Sequence, residues 1–446
     1  MTPALIAHLR QHVKDADALL AALTTTPPIS IRLNTKKISH IDELRFPVTQ
    51  PVAWCANAYY LAERPVFTLD PHFQGGGYYV QEASSMFIAH MAKQLLPNRA
   101  LRVLDLCAAP GGKSTLLLDV LPKGSLLVSN EVVRNRYQVL IQNMQKWGEA
   151  NVIITNHLPE DFAKVRHFFD VILIDAPCSG EGLFRKDKNA IAEWSPENVQ
   201  HCSQRQRKIL ASALGSLRPD GLLMYSTCTY NRHENQENVQ WLCKEYPLTP
   251  TPVNIPINWQ IQYDGGYQFY PHKVQGEGFF AQALQLREPL INLPTKVNYN
   301  TFHNLTKVNK QHTTTLHEWL TAPEYFEFYQ TTSGKILAVP NVLLPDFIYV
   351  EQHLNKLQFA LEMGTFKGKD FIPAHALALS THLSQQLTFV ELDEKNALHY
   401  LRRQPFDVDA PTGWVVMRYN GIALGFAKKL PNRLNNYFPT EWRVLM

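Results

Sequence analysis

The sequence predicts an α/β fold: a doubly wound parallel sheet at the centre, an accessory segment before it and a smaller, mainly β domain after it. Three observations carry this reading. From Ala100 onward, short apolar runs alternate with segments of helical period. One run, "FDVILIDAP" (169–177), is apolar almost throughout, as a strand covered on both faces must be. Finally, "DLCAAPGGKST" (105–115) follows an apolar strand, turns through small residues and opens a helix. Ligands of open parallel sheets bind at such a turn.

Taken in order, residues 3–23 read as a short polar helix and "ISIRLNT" (29–35) as an extended piece. "QEASSMFIAHMAKQLL" (81–96) places apolar residues at helical spacing. "LRVLDL" is the first strand of the sheet, and the helix "GKSTLLLDVL" ends near Pro122-Lys123-Gly124. "SLLVSNE" (125–131) is the second strand. The helix "RNRYQVLIQNMQKWG" closes on Gly148, a residue that takes the left-handed cap at little cost. "NVIITN" (151–156) and "FDVILIDAP" are the third and fourth strands, a helix covers about 197–217, and "GLLMYSTCTY" (221–230) is the fifth strand. Residues 291–315 are polar and aperiodic and read as a linker. The chain ends in two strands around an Asn420-Gly421 turn, followed by a basic segment. The expected domains are therefore 1–98, 99–290 and 316–446, with the linker at 291–315.

At 446 residues, with 45% hydrophobic and 18% charged residues, the chain has the balance of a multi-domain globular protein. No apolar run reaches transmembrane length, and "MTPALIAHLRQHVKDADALL" is too charged for a signal peptide. A cytoplasmic monomer without membrane partner is expected. Six cysteines are too few for a disulfide scaffold and lack paired C-x-x-C spacing, so no metal is expected and each thiol is read singly. The net charge of +4 suits an anionic partner without requiring one.

Three ligands compete for the small-residue turn. A phosphate loop needs G-x-x-x-x-G-K-[ST]; Gly112-Lys113-Ser114 supplies its end, but Cys107 stands at its first position. "VILID" resembles the acidic strand of such enzymes, so a P-loop-like ATPase stays an alternative. The dinucleotide pattern G-x-G-x-x-G is absent. S-adenosylmethionine carries an amino acid instead of phosphates, and needs small residues plus an acid at the end of the second strand for its ribose. Cys107, Ala108, Ala109, Pro110, Gly111, Gly112 and Lys113 form the loop, and Glu131 is that acid. Either feature alone is an ordinary turn or an exposed acid. Together, on neighbouring strands, they point to the cofactor.

Two thiols stand at the ends of neighbouring strands: Cys178 after Asp175-Ala176-Pro177, and Cys228 after Ser226-Thr227. Methylation of a cytosine ring carbon uses such a set. C5 of cytosine is a poor nucleophile until a thiolate adds at C6 and makes it enamine-like. An acid near N3 assists the addition. Cys228, Cys178, Asp175 and Lys113 are the groups at hand.

"DLCAAPGGKST", "NEVVRNR", "DVILIDAPCSGEGLFRKD" and "YSTCTYNRHENQENV" together resemble the Sun-type (NOL/NOP/Sun) RNA cytosine-5 methyltransferases, over about 80–285. "SIRLNT" and "GYYVQEASSM" are similar to that family's accessory segment. "GIALGFAKKLPNRLNNYFP" is similar to the PUA-like RNA-binding tail of its bacterial 16S rRNA members. The resemblance implies a Rossmann-like methyltransferase sheet that uses S-adenosylmethionine on small-subunit rRNA, with tRNA as the alternative substrate. It also assigns roles: Cys228 as nucleophile, Cys178 in product release, Glu131 on the ribose, Asp175 between cofactor and base. Asn156 takes the adenine position at the end of the third strand.

RNA binding needs cations for phosphates and flat groups for bases. The candidates are Arg32, Lys36-Lys37, Arg185, Lys186, Arg205, Arg207, Lys428, Lys429 and Arg433, with Asn435, Asn436 and Tyr437 in the tail. Phe184 and Tyr230 flank the cysteines as stacking or core residues.

Overall fold

The computed structural model describes residues 1–288 and 301–445. The first helical stretch is two helices, α1 (Pro3–His12) and α2 (Ala16–Ala22), because Val13 leaves the helix in an extended conformation. A four-stranded antiparallel sheet follows, built from β1 (Ile29–Leu33), β2 (Val48–Pro51), β3 (Ala58–Leu61) and β4 (Tyr78–Val80) in the order β2-β3-β1-β4. The short helix α3 (Pro71–Gln74) precedes β4, and α4 (Phe87–Leu95) leads into the central domain with an apolar face of Phe87, Ile88, Met91 and Ala92.

The central sheet holds the parallel strands β5 (Arg102–Asp105), β6 (Leu126–Asn130), β7 (Val152–Thr155), β8 (Phe169–Asp175) and β9 (Leu217–Thr227), in the order β9-β8-β5-β6-β7. The connecting helices are α5 (Gly112–Val120), α6 (Arg134–Trp147), α7 (Lys188–Glu193) and α8 (Pro196–Leu214). Strand order reverses between β5 and its neighbours, so the turn after β5 opens at the switch point where ligands enter such sheets. Six of the seven residues of β8 are buried, as its apolar run required. β9 stops at Thr227, which leaves Cys228 just past the ladder. An antiparallel extension ending in Phe279–Leu286 runs beside β9, and Gln358–Phe359 from the C-terminal region pairs with β7. Gly148 caps α6 at φ 89°.

The linker expected at 291–315 is only partly so. Residues 289–300 lie outside the described residues, but Leu305–Lys307 is a strand paired with Tyr329–Thr331, and Lys310–His317 is a helix. Each of these pieces is anchored by one apolar side chain or two (Phe302 and Leu305, then Leu316), too few to show a period. With the Leu305–Lys307 strand, the C-terminal region forms two sheets. One has five antiparallel strands between Leu305 and Pro373. The other has four between Phe389 and Asn436, and contains the Asn420-Gly421 hairpin with φ 45° and 81°.

Burial corrects two expected RNA contacts. Arg32 is 1% exposed. It donates to Gln81, to Asp119 and to the carbonyl and hydroxyl of Gly112 and Thr115 on the first turn of α5, and stacks 4.6 Å over Trp147. It buttresses α5 instead of meeting phosphate. Arg32→Met leaves Asp119 without its counter-charge, with only the Trp147 indole N–H still donating to it, and is expected to lower stability by about 3 kcal/mol. Urea unfolding should show this as a lower midpoint at unchanged slope. Lys37 is likewise engaged. Its ammonium donates to the carbonyls of Gly75, Lys146 and Leu379 at 2.9, 2.6 and 2.6 Å, joining three regions of the chain, and burial lowers its pKa to about 7. Lys36 pairs with Glu149 at 2.6 Å.

Candidate active site

The loop after β5 is held from below by hydroxyls. Ser114 donates to Asp105 at 2.7 Å and accepts from Ser129 at 3.0 Å, tying α5 to β5 and β6. Burial raises the Asp105 carboxyl to about 7. Asn130 at the end of β6 donates to the Leu106 carbonyl at 3.1 Å and accepts from Thr155 and the His157 amide. Gly111 sits at φ 113°, a conformation that suits glycine, and the helix N-terminus opens at Gly112. Glu131 is buried; its carboxylate accepts the Val133 amide at 2.8 Å and lies 3.4 Å from Arg136, which also donates to the Ala109 carbonyl at 2.6 Å.

Cys107, Glu131, Asp175, Cys178 and Cys228 line one cleft of about 430 Å³. Val132, Val133, Leu158 and Leu183, exposed apolar side chains, also line it. A second recess of about 180 Å³ shares Cys107 and Asp175 and adds Ala108, Ala109, Pro110, Gly112 and Lys113. Its opposite wall, with Tyr79, Gln81 and Glu82, comes from the N-terminal region.

β8 and β9 run side by side in register Asp175 to Ser226, so the residues that follow them emerge together. The sulfur atoms of Cys178 and Cys228 lie 3.0 Å apart, and the Cys228 amide donates to Cys178 Sγ at 3.3 Å. The contact with the Cys228 thiol, then burial, raise the Cys178 thiol, and the Cys228 amide opposes them. Lys113 Nζ lies 2.8 Å from Asp175 Oδ2, and Ser226 donates to Oδ1 of the same carboxylate at 2.8 Å. Burial would lower the Lys113 ammonium, but Asp175 outweighs it and the pKa is raised.

A buried polar network, invisible to periodicity, locks the two thiol loops together. Glu234 accepts the Ser179 amide at 3.0 Å, Gln206 at 2.6 Å and Asn231 at 2.6 Å. Gln206 also donates to the Pro177 carbonyl at 3.0 Å, so both flanks of Cys178 are held. The residues after each cysteine, Ser179 and Thr229, bond at 3.0 Å. Glu181 accepts the Tyr230 amide at 3.1 Å and faces His8 of α1 at 3.1 Å. The only hint in the sequence is the density of Asn and Glu in "NRHENQEN" straight after the fifth strand.

Other expected residues fall elsewhere. Asn156 donates to the carbonyls of Glu131 and Val132 at 2.6 and 3.0 Å and is not among the residues lining the cleft, so it braces the loop that carries Glu131. Arg185 is corrected as an RNA contact: its guanidinium is buried against Glu277 and the Gly276 carbonyl, and Lys186 leans on the same carboxylate at 3.7 Å. Phe184 and Tyr230 are core residues packed with Leu5 and Leu9. Arg207 bonds Asn238 and lies over Trp241. In the tail, Lys429 pairs with Asp407, while Lys428 lies 5.5 Å over Trp414. Arg433 and Tyr437 are exposed, and Asn435, Asn436 and Tyr437 line a shallow groove.

This geometry can be set beside known proteins. Residues 4–83 match the N-terminal domain of 16S rRNA methyltransferase RsmF, 92–285 match 16S rRNA methyltransferase RsmB/F, and 388–444 match the methyltransferase RsmF PUA domain. Ribosomal RNA small subunit methyltransferase F of Enterobacter sp. (strain 638) is 32% identical, covering 99% of this chain and 94% of that protein. This chain belongs to the ribosomal RNA small subunit methyltransferase F family. The methyltransferase F of Escherichia coli O81 (strain ED1a) is 30% identical, covering 95% of this chain and 92% of that one. A methyltransferase homologue from Pyrococcus horikoshii shares the fold with a TM-score of 0.52 at 25% identity, over 64% of this chain and all (100%) of that structure. The family's members are thus Rossmann-like methyltransferases with an N-terminal domain and a strand-rich PUA domain, the architecture found here. Among the described residues, no helix is long and apolar enough to cross a membrane, and no cluster of three or more metal-ligating side chains occurs.

Proposed function

We propose that this chain transfers a methyl group from S-adenosylmethionine to C5 of cytosine in 16S rRNA, with Cys228 bonded to C6 during the reaction. The observation that supports this most is the meeting of two thiols, 3.0 Å apart, with Asp175 in one cleft that also holds Glu131, the Asp175 carboxylate being paired with Lys113 of the adjoining recess. The names of the relatives, all small-subunit rRNA methyltransferases, favour rRNA over tRNA.

The residues present fit the cofactor. The cleft has the volume of a small-molecule site. A buried carboxylate suits ribose hydroxyls, and apolar side chains beside it suit an adenine ring. A Cβ at Gly112 would stand 3.3 Å from Tyr79, so a side chain there would narrow the recess beside the loop. Glu131 would hold the ribose, and Cys107 to Lys113 the methionyl end. Bound there, the cofactor supplies an electrophilic methyl group. A phosphate loop fits less well, because the lysine it would turn on phosphates is paired with Asp175.

In this reading Cys228 adds to C6 and Asp175 holds the ring at N3. Lys113 sets positive charge beside the electrons displaced onto the ring. Once C5 is methylated its proton must leave, the Cys228–C6 bond breaks and the double bond returns. The C5–H electrons form the double bond and the C6–S electrons stay on sulfur; Cys178, within hydrogen-bond reach of the departing Cys228, gives that sulfur its proton and takes the one from C5.

Bisulfite sequencing of rRNA and tRNA from cells with and without the gene tests the proposal. A protected cytosine in 16S rRNA should lose its protection in the deletion strain. An unchanged 16S pattern would reject the assignment, and a change confined to tRNA would move it to that substrate.

A further inference from the structure

Most cations around the cleft are already engaged. Lys113 is paired with Asp175, Arg136 with Glu131, and Arg185 and Lys186 with Glu277. Two cations remain on the cleft wall: Arg205 and Lys208 of α8, both exposed. Among the described residues, neither side chain makes an ion pair or hydrogen bond. Glu160, across the cleft, pairs with neither. Three residues apart, the two project from one side of the helix, with Cβ atoms about 5–6 Å apart.

Their placement is not left to a free surface helix. Between them Gln206 points the other way, fully buried, and bonds the Pro177 carbonyl and Glu234. Those are the groups that hold Cys178. Ile209 and Leu210 press the same turn into the core. The two charges are therefore registered to the thiols by one turn of helix.

We propose that Arg205 and Lys208 form the phosphodiester-binding site for the strand that carries the target base. This rests on the RNA methyltransferase reading above and makes it specific: the backbone crosses the cleft over α8, not over the Arg185-Lys186 segment. Both cations sit on the same cleft wall as Cys178 and Ile209. A base seated at the thiols brings its own backbone phosphates to the rim of that cleft. Two unpaired cations held there offset the cost of drawing the base out of its stack.

The test is the salt dependence of binding of a single-stranded, cytosine-containing RNA oligonucleotide, read by fluorescence anisotropy. In the double variant Arg205→Ala/Lys208→Ala, affinity at low salt should fall about tenfold, and the slope of log K against log[salt] should shrink by about 1.4 for two lost phosphate contacts. The charge-keeping variant Arg205→Lys/Lys208→Arg should retain the slope. S-adenosylhomocysteine affinity should be unchanged in both, which also reports an intact fold. An unchanged slope in the alanine variant would overturn the site. So would loss of S-adenosylhomocysteine binding with RNA binding intact, which would give the two cations to the cofactor. If the slope shrinks while bisulfite sequencing finds no methylated cytosine, the phosphate site stands and the cytosine reading falls.

Discussion

Cys228→Ala should abolish methyl transfer to rRNA, by at least about 10⁴-fold, while leaving S-adenosylmethionine affinity within about twofold of the parent. The size follows from the chemistry. Without addition at C6, C5 stays an aromatic carbon with little reactivity toward a sulfonium methyl group, and the neighbouring Cys178, whose thiol is raised, is a poor substitute nucleophile. Cofactor binding survives because the loop from Cys107 to Lys113 is held by Ser114, Asn130 and Arg136, none of which touches Cys228. Single-turnover transfer of labelled methyl, with equilibrium binding measured beside it, separates the two effects. Retention of full activity would remove Cys228 as nucleophile.

Cys178→Ala should instead stop the reaction after methylation and accumulate a covalent protein–RNA adduct, visible as a band shift that survives denaturation. The two sulfurs are in contact, so the order of roles turns on their surroundings. Cys178 is half-buried, and its contact with the Cys228 thiol, then desolvation, raise its thiol against the opposing pull of the Cys228 amide. A thiol held protonated is a weaker nucleophile at neutral pH and a better proton carrier. Its loss should leave addition and methylation intact and block release. If the adduct accumulates with Cys228→Ala and not with Cys178→Ala, the roles are reversed.

Much of the fold was legible because its signals are local. The parallel strands were marked by short apolar runs, the Gly148 cap by a residue type, and the 420–421 hairpin by a dipeptide. The second half of the expected linker was misread for the converse reason. Leu305–Lys307 and Lys310–His317 are held by contacts with strands far along the chain and carry almost no pattern of their own. In the site, the thiols and the loop could be read from their positions at strand ends. Glu234, Gln206 and Glu181 could not, since a buried polar residue looks like a surface one until its partners are known.

The amino-acid order by itself determined the alternating strands and helices, the small-residue turn at the crossover, and a thiol at each of two strand ends, because each is set by residues a few positions apart. Only the tertiary structure decided which charges face the cleft. Arg32 finds Asp119 from 87 positions away and Arg185 finds Glu277 from 92, and both are removed from the surface. Arg205 and Lys208 meet no such partner and stay available. A charge seeks either water or an opposite charge, and which it meets depends on segments that only folding brings together.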